Sequence, residues 1–345
     1  MIKVPFTNLD VIYRNHKQEF LHVYDKVASS GKHMLGSYTR EFEETLADYC
    51  GRRYACVTGS GTMALEILFR SLFRGVPATI GIPNYSYIAT RNTVISSGMT
   101  PVYIQTGSNG LIEDVGLIDT DAVVAVNLYG HMVDYDTVFS DYNGILIEDA
   151  AQSLGASYKG KRSGSFGLAS VLSFDPMKNL PCFGAGGMIL TDDEGLYQEI
   201  LKVRRHNIDV GYGTNSVMSE MQCAEMLVKW KYFAEWQAGR LEVAKEYVKM
   251  FSDRDDVECV LPNLGTMEES SWHKFVVKVK NRTEFVSKLE KNGIEYRFHY
   301  DYMLDGSAKN DLCLHGVSLP IYDGLNELKY LKGGFDATPT GSRRP

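Results

Sequence analysis

"YACVTGSGTMALEILFRSLF", residues 54–73, decides the fold class. It opens as a short apolar strand, turns through Gly59, Ser60 and Gly61, and continues as an apolar helix. "ATIGIPNYSYIATRNTVISSG" (78–98) repeats the strand–turn–helix pattern, and "TPVYIQT" (100–106) adds a further strand. "DAVVAVNLYG" (121–130) and "GILIEDAAQS" (144–153) follow the same rule, as apolar strands that end in polar or glycine-rich loops. Continuous apolar strands alternating with helices predict an α/β fold with a mostly parallel sheet sandwiched by helices.

Upstream, residues 16–30 and 37–51 carry apolar positions at helical spacing, the second with Ser37 or Thr39 as cap and Gly51 as stop. Downstream, "SFGLASVLSF" (165–174) and "GGMILTDD" (186–193) add two strands, followed by a helix near 193–205 and a glycine-rich joint at 209–215. Residues 218–250 form one long amphipathic helix or two in succession, and 270–300 the order strand, helix, strand. The expected division is a large domain over 1–240, with an N-terminal segment that packs on the small domain, and a smaller α/β domain over 241–345. The tail at 333–345 is expected to be a disordered or surface appendage.

With 345 residues, 44% hydrophobic and 23% charged, the composition is that of a soluble globular protein. The net charge of -7 argues against nucleic acid as a partner but leaves room for a local basic patch. Six scattered cysteines without a CxxC pair, and no leader segment, predict a cytoplasmic protein without disulfides or a metal site. No apolar run approaches the roughly 20 residues that span a bilayer, so no membrane association is expected.

In a parallel sheet the loops at the carboxyl ends of the strands converge. Here those loops are "TGSGT" (58–62), "PNYSY" (83–87), "NLYGH" (127–131), "EDAAQS" (148–153) and "SFDPMK" (173–178). Together they offer a phosphate cradle, aromatics, a carboxylate, an amide, a hydroxyl and the amine of Lys178. "GSGTMA" also satisfies a dinucleotide fingerprint, but the second strand unit ends without the ribose-binding acid, so a monophosphate anchor fits better than NAD. A carboxylate buried at Asp149 needs a cationic or proton-bearing partner, which a pyridinium nitrogen supplies. Lys178 is the amine for a Schiff base with pyridoxal 5'-phosphate, and once released it serves as a proton shuttle. Lys159 and Lys161 in "YKGKRSG" are the competing lysines, and their glycine-punctuated setting predicts a solvated hairpin turn.

From "LGSYTREFEETLADYCG" (35–51) through "VTGSGTMAL", "IEDAAQSLGASYKGKRSGSFG" and "SFDPMKNLPCFGAGGMILTDD" to "GIEYRFHY" and "VSLPIY", the chain resembles the DegT/DnrJ/EryC1/StrS sugar aminotransferases. These belong to the aspartate aminotransferase class (fold type I) of pyridoxal-phosphate enzymes. The resemblance implies a seven-stranded sheet in the large domain. It implies Lys178 as the Schiff-base lysine, Asp149 as partner of the pyridine nitrogen and Gln152 near the ring's phenolic oxygen. It further implies Tyr87 stacked on the ring, and Gly61, Thr62 and Ser173 on the phosphate. Asn215 would reach the phosphate of the neighbouring subunit in a homodimer with shared sites. Arg297, His299 and Tyr300 would line the substrate side.

The implied reaction moves an amino group from L-glutamate or glutamine to a keto sugar, in this family most often one linked to a nucleotide diphosphate. The chain departs from the family pattern at three places, several of these positions being on the substrate side: Ala185 replaces a usual glutamate, Ser216 and Val217 a tyrosine–arginine pair, and Asn127 a histidine. Loss of the tyrosine–arginine pair keeps open a non-nucleotide acceptor such as a keto-cyclitol. Lys178 argues against a sugar dehydratase, in which that position is a histidine. Retention of Lys178 and Asp149 together makes a non-catalytic regulatory relative the least expected reading.

Overall fold

The computed structural model describes residues 2–116, 118–207, 212–262 and 265–325. The tail at 333–345 and part of the joint at 209–215 lie outside these described residues.

Two helices come first, α1 (Leu9–Ser30) and α2 (Ser37–Cys50). The large sheet is then built from β1 (Tyr54–Thr58), β2 (Thr79–Pro83), β3 (Thr100–Ile104), β4 (Ala122–Val126) and β5 (Ile145–Asp149). Helices α3 (Gly61–Phe73), α4 (Ile88–Ser96) and the single turn α5 (Tyr135–Val138) alternate with them. A hairpin of β6 (Ser157–Tyr158) and β7 (Lys161–Arg162) precedes β8 (Ala169–Ser173) and β9 (Gly187–Thr191). Helix α6 (Glu194–Val203) follows, then α7 (Glu220–Trp230) and α8 (Phe233–Phe251). The C-terminal part contains β10 (Val257–Cys259), β11 (Phe275–Val279), α9 (Arg282–Asn292), α10 (Asp311–His315) and β12 (Gly316–Leu319).

The large sheet has seven strands in the order β1-β9-β8-β5-β4-β2-β3. Only β9 runs antiparallel to its neighbours, β1 and β8. Every residue of β4 is buried, as an inner strand covered on both faces requires. One apolar core, around Ile67, Phe69, Ile80, Val124 and Ile147, lies on one side. A second, around Phe42, Leu46, Leu172, Met188 and Met226, lies under α1, α2 and α7.

Residues 218–250 divide into two helices around Lys231 and Tyr232, the second of the two expected forms. The expected boundary after residue 240 falls inside α8, which continues from the large-sheet region into the third core. That core packs α8 and α9 against the antiparallel sheet β10-β11-β12. Val4 belongs to it and pairs with Ile294. The strand expected over the end of 270–300 does not form. Ile294 pairs only with Val4 and Arg297 only with Ser318, two different partners, so no continuous ladder develops.

Candidate active site

The carboxyl ends of β1, β2, β5 and β8 open into a cleft of about 280 Å³, closed on the far side by residues 273–274 and 299–300. Its floor begins at the β1–α3 turn. Ser60 caps α3, its hydroxyl accepting from the Met63 N–H at 3.1 Å. The N–H groups of Gly61 and Thr62, first in the helix, have no intrahelical acceptor and carry the positive end of its dipole. Gly61 is needed for space. A Cβ there would stand 2.7 Å from the Cβ of Ser173, so the turn lies directly on the end of β8. Ser216 steadies the turn by accepting from the Gly59 N–H at 3.0 Å.

Alternation along β5 separates two adjacent acids. Glu148 is fully buried and accepts from Asn127 Nδ2 (2.8 Å), Ser163 Oγ (2.9 Å) and the N–H groups of Gly164 and Phe166 (both 2.9 Å to the nearer oxygen). Burial pushes its carboxyl up to about 7. Asp149 lines the cleft, also buried, and accepts the Ala151 N–H at 3.1 Å. Burial raises its pKa, opposed by that N–H, by the Lys178 charge and by the Thr90 hydroxyl. Residues 150–155 form turns rather than a helix, so neither Asp149 nor Gln152 is a helix cap.

Lys178 stands in a turn organised by Asp175. The Asp175 carboxylate accepts the Met177 N–H at 2.9 Å, and its carbonyl accepts the Lys178 N–H at 2.8 Å. Beyond it the chain is tied down. Asn179 donates to the Ser271 carbonyl at 2.7 Å, Cys182 to the Phe174 carbonyl at 2.8 Å, and the Lys229 amine to the Pro181 carbonyl at 2.6 Å. Desolvation lowers the Lys178 pKa, with Asp149 and Asp175 acting in the opposite direction. An amine so placed loses its proton more readily than a surface lysine.

The opposite rim is aromatic. Tyr87, half exposed at the start of α4, meets the Tyr300 ring at 5.8 Å between centroids. Gln152 accepts the Tyr129 N–H at 3.0 Å and donates to the Tyr300 hydroxyl at 3.1 Å. His299 bonds Ser318 Oγ through Nδ1 at 2.9 Å, while its carbonyl accepts the hydroxyls of Tyr85 (2.8 Å) and Tyr129. Burial, then the charges of Lys274, Lys178 and Arg297, push the His299 imidazole down to about 3.

Gly61, Thr62, Tyr87, Asp149, Gln152, Ser173, Lys178, His299 and Tyr300 thus line one cleft. Two expected site residues do not. Arg297 faces a separate groove with Glu290, Ile294 and Phe298, its guanidinium 3.9 Å from Glu295 and over the Phe6 ring. Asn215 is exposed beside Arg205, outside its own subunit's cleft. Lys159 pairs with Asp136 at 2.5 Å beside the β6–β7 hairpin, away from the cleft.

Sequence reasoning passed over His273 and Lys274, which also line the cleft. Polar residues flanking an apolar strand look like a solvated strand start, and only the docking of β11 brings them inside. Of the three departures, Ala185 lines the cleft, Ser216 holds the glycine turn, and Asn127 belongs to the Glu148 network, where its Oδ1 accepts from Val133 N and the Tyr135 hydroxyl.

The donor set fits pyridoxal phosphate. Helix N–H groups with Ser173 suit a phosphate, Asp149 suits a protonated ring nitrogen, Tyr87 offers a flat face, and Lys178 supplies the amine. Comparison with known proteins gives the same direction. The model of the DegT/DnrJ/EryC1/StrS aminotransferase family matches residues 14–327. The chain is 32% identical, over 86% of its length and 82% of the relative's, to a dTDP-3-amino-3,4,6-trideoxy-alpha-D-glucose transaminase from Streptomyces venezuelae. It is 34% identical, over 81% of both chains, to a UDP-2-acetamido-2-deoxy-3-oxo-D-glucuronate aminotransferase from Pseudomonas aeruginosa. The solved structure of S. venezuelae DesV in complex with a ketimine intermediate superposes with a TM-score of 0.88 at 28% identity, covering 97% of each chain.

Proposed function

The chain belongs to the DegT/DnrJ/EryC1/StrS aminotransferase family, and from that premise we propose that it is a pyridoxal-phosphate-dependent aminotransferase that moves an amino group from L-glutamate or glutamine to a keto sugar. The observation that carries this reading is the meeting of Lys178, Asp149 and the capped start of α3 in one cleft. Bound pyridoxal phosphate supplies an aldehyde that takes up the amino group and a ring that accepts electrons when the substrate's C–H bond breaks.

The protein's own residues then divide the work. Gly61, Thr62 and Ser173 hold the phosphate. Asp149, raised by burial and next to the Lys178 charge, keeps a proton on the ring nitrogen. Tyr87 covers one face of the ring. Gln152, fixed between Tyr129 and Tyr300, sets the polar edge. The Lys178 amine, with its pKa lowered, carries a proton at the reacting carbon.

His299 and Tyr300 form the wall that faces the sugar. Arg297 is left out of this reading because it faces another groove. The two relatives above act on dTDP- and UDP-linked sugars by name, which supports a nucleotide-linked acceptor. Ala185 in the cleft, where a glutamate is usual, favours also trying a keto-cyclitol.

The test is amination by the cofactor-loaded protein, with L-glutamate or glutamine as donor, of dTDP-, UDP- and GDP-linked keto sugars and an inosose, read by mass spectrometry. Asp149→Asn should keep the cofactor's phosphate contacts and lose about 10² or more in kcat. No aminated product from any acceptor, or parental rates in the Asn variant, would reject the reading.

A further inference from the structure

Lys274 is a charged cleft residue that the proposed reaction leaves without a task. It directly precedes β11, is only 4% exposed, and is held by its backbone N–H donating to the Tyr129 carbonyl at 3.1 Å. Its amine lies 5.0 Å from the centre of the Phe6 ring. Among the described residues the amine has neither a hydrogen-bond acceptor nor a carboxylate within ion-pair distance. The side chain is enclosed while its amine borders the cleft, and lysines are seldom so enclosed unless paired.

Its surroundings are cationic as well. Lys178 lines the same cleft, and the Arg297 guanidinium lies 5.4 Å from the same Phe6 ring. The two acids of the cleft are already engaged. Asp149 accepts the Ala151 N–H, and Asp175 folds the lysine turn. Burial, then Lys178 and Arg240, push the Lys274 amine well below its ordinary range, with Asp175 the opposing influence. An arriving carboxylate would supply the missing counter-charge and stabilise the ammonium form.

We propose that Lys274 is a specificity residue that receives a carboxylate of the substrate during amino transfer. That carboxylate belongs either to the amino donor and its keto-acid product or to an acidic keto sugar. The inference rests on the aminotransferase reading of the cleft.

Calorimetric binding to cofactor-loaded protein separates the sources without measuring turnover. The probes are 2-oxoglutarate, UDP-glucuronate and, as a neutral control, UDP-glucose. Lys274→Met keeps length and apolar bulk, and Lys274→Arg keeps the charge. The Met variant should bind 2-oxoglutarate, UDP-glucuronate or both about 10- to 100-fold more weakly, the loss of one charged hydrogen bond. UDP-glucose binding should stay unchanged, and the Arg variant should recover most of the loss.

Loss confined to 2-oxoglutarate identifies the donor carboxylate, and loss confined to UDP-glucuronate the acceptor's. Parental binding of both acids by the Met variant, or an equal loss for UDP-glucose, overturns the proposal. So does weakened cofactor retention in that variant, which would make Lys274 a phosphate contact. A parent protein that takes up no cofactor would overturn the aminotransferase reading, and this inference with it.

Discussion

Glu148 and Asp149 are chain neighbours with opposite surroundings. Glu148 is enclosed by donors from Asn127, Ser163, Gly164 and Phe166, which anchor the segment before β8. Asp149 has one backbone donor and opens onto the cleft, where a cationic ring can complete it. His299 has the reverse problem, as a half-buried base among cations. Its imidazole, down at about 3, stays neutral across the working range. The sign follows from linkage. Between that value and the ordinary 6.5 the unfolded chain binds a proton that the fold refuses, so His299 lowers stability as pH falls through this window. Ring-carbon NMR of labelled histidine in the cofactor-free protein should show no His299 titration between pH 5 and 8. A midpoint near 6.5 would mean that solvent reaches the ring and screens the neighbouring charges. In Lys274→Met, the loss of one cation should move the midpoint upward.

Helix α2 shows how one element completes another. Its N-cap is Gly36, which offers no side-chain acceptor. Glu220 of α7 takes over, accepting the N–H groups of Gly36 (2.8 Å), Tyr38 (2.6 Å) and Thr39 (3.3 Å) and the Thr39 hydroxyl (2.7 Å). Glu220→Ala would leave the buried Thr39 donors and the part-buried Gly36 and Tyr38 N–H groups without their acceptor and should cost about 3 kcal/mol. An earlier urea midpoint would register that cost, and an unchanged midpoint would show that water replaces the carboxylate freely.

The contrast also marks what could be read from residue order. The strands of the large sheet announce themselves as apolar runs because both faces are covered, and their loops therefore converge as expected. Gly61, Asp149, Ser173 and Lys178 could be placed together at one sheet edge for that reason. Lys274 was not, because its burial depends on β11 docking beside Tyr129, a contact 145 residues distant in sequence order. The backbone at 294–300 misled for a similar reason: its alternating aromatics suit a strand, yet its partners are Val4, in the segment before α1, and Ser318 of β12. Arg297 was expected among the substrate contacts for its chemistry, but the bridge to Ser318 sets it outside the cleft.

At the scale of the molecule, the cleft lies where the carboxyl edge of the seven-stranded sheet meets the C-terminal part. Among the described residues no helix is long and apolar enough to cross a membrane. We expect two chains to assemble, with the exposed Asn215 of each completing the phosphate site of the other. Sedimentation at micromolar concentration should give twice the 38.7 kDa chain mass. Asn215→Ala should loosen the cofactor while leaving the chain folded. A monomer that holds its cofactor fully would reject the shared site.

The central claim is that Lys178, and no other lysine, carries the cofactor. Borohydride reduction of the cofactor-loaded protein, followed by peptide mass mapping, tests it most directly. The expected result is a single pyridoxyl adduct on the peptide containing Lys178. An adduct on Lys274 or Lys159, or no adduct in a protein that retains its cofactor, would contradict it.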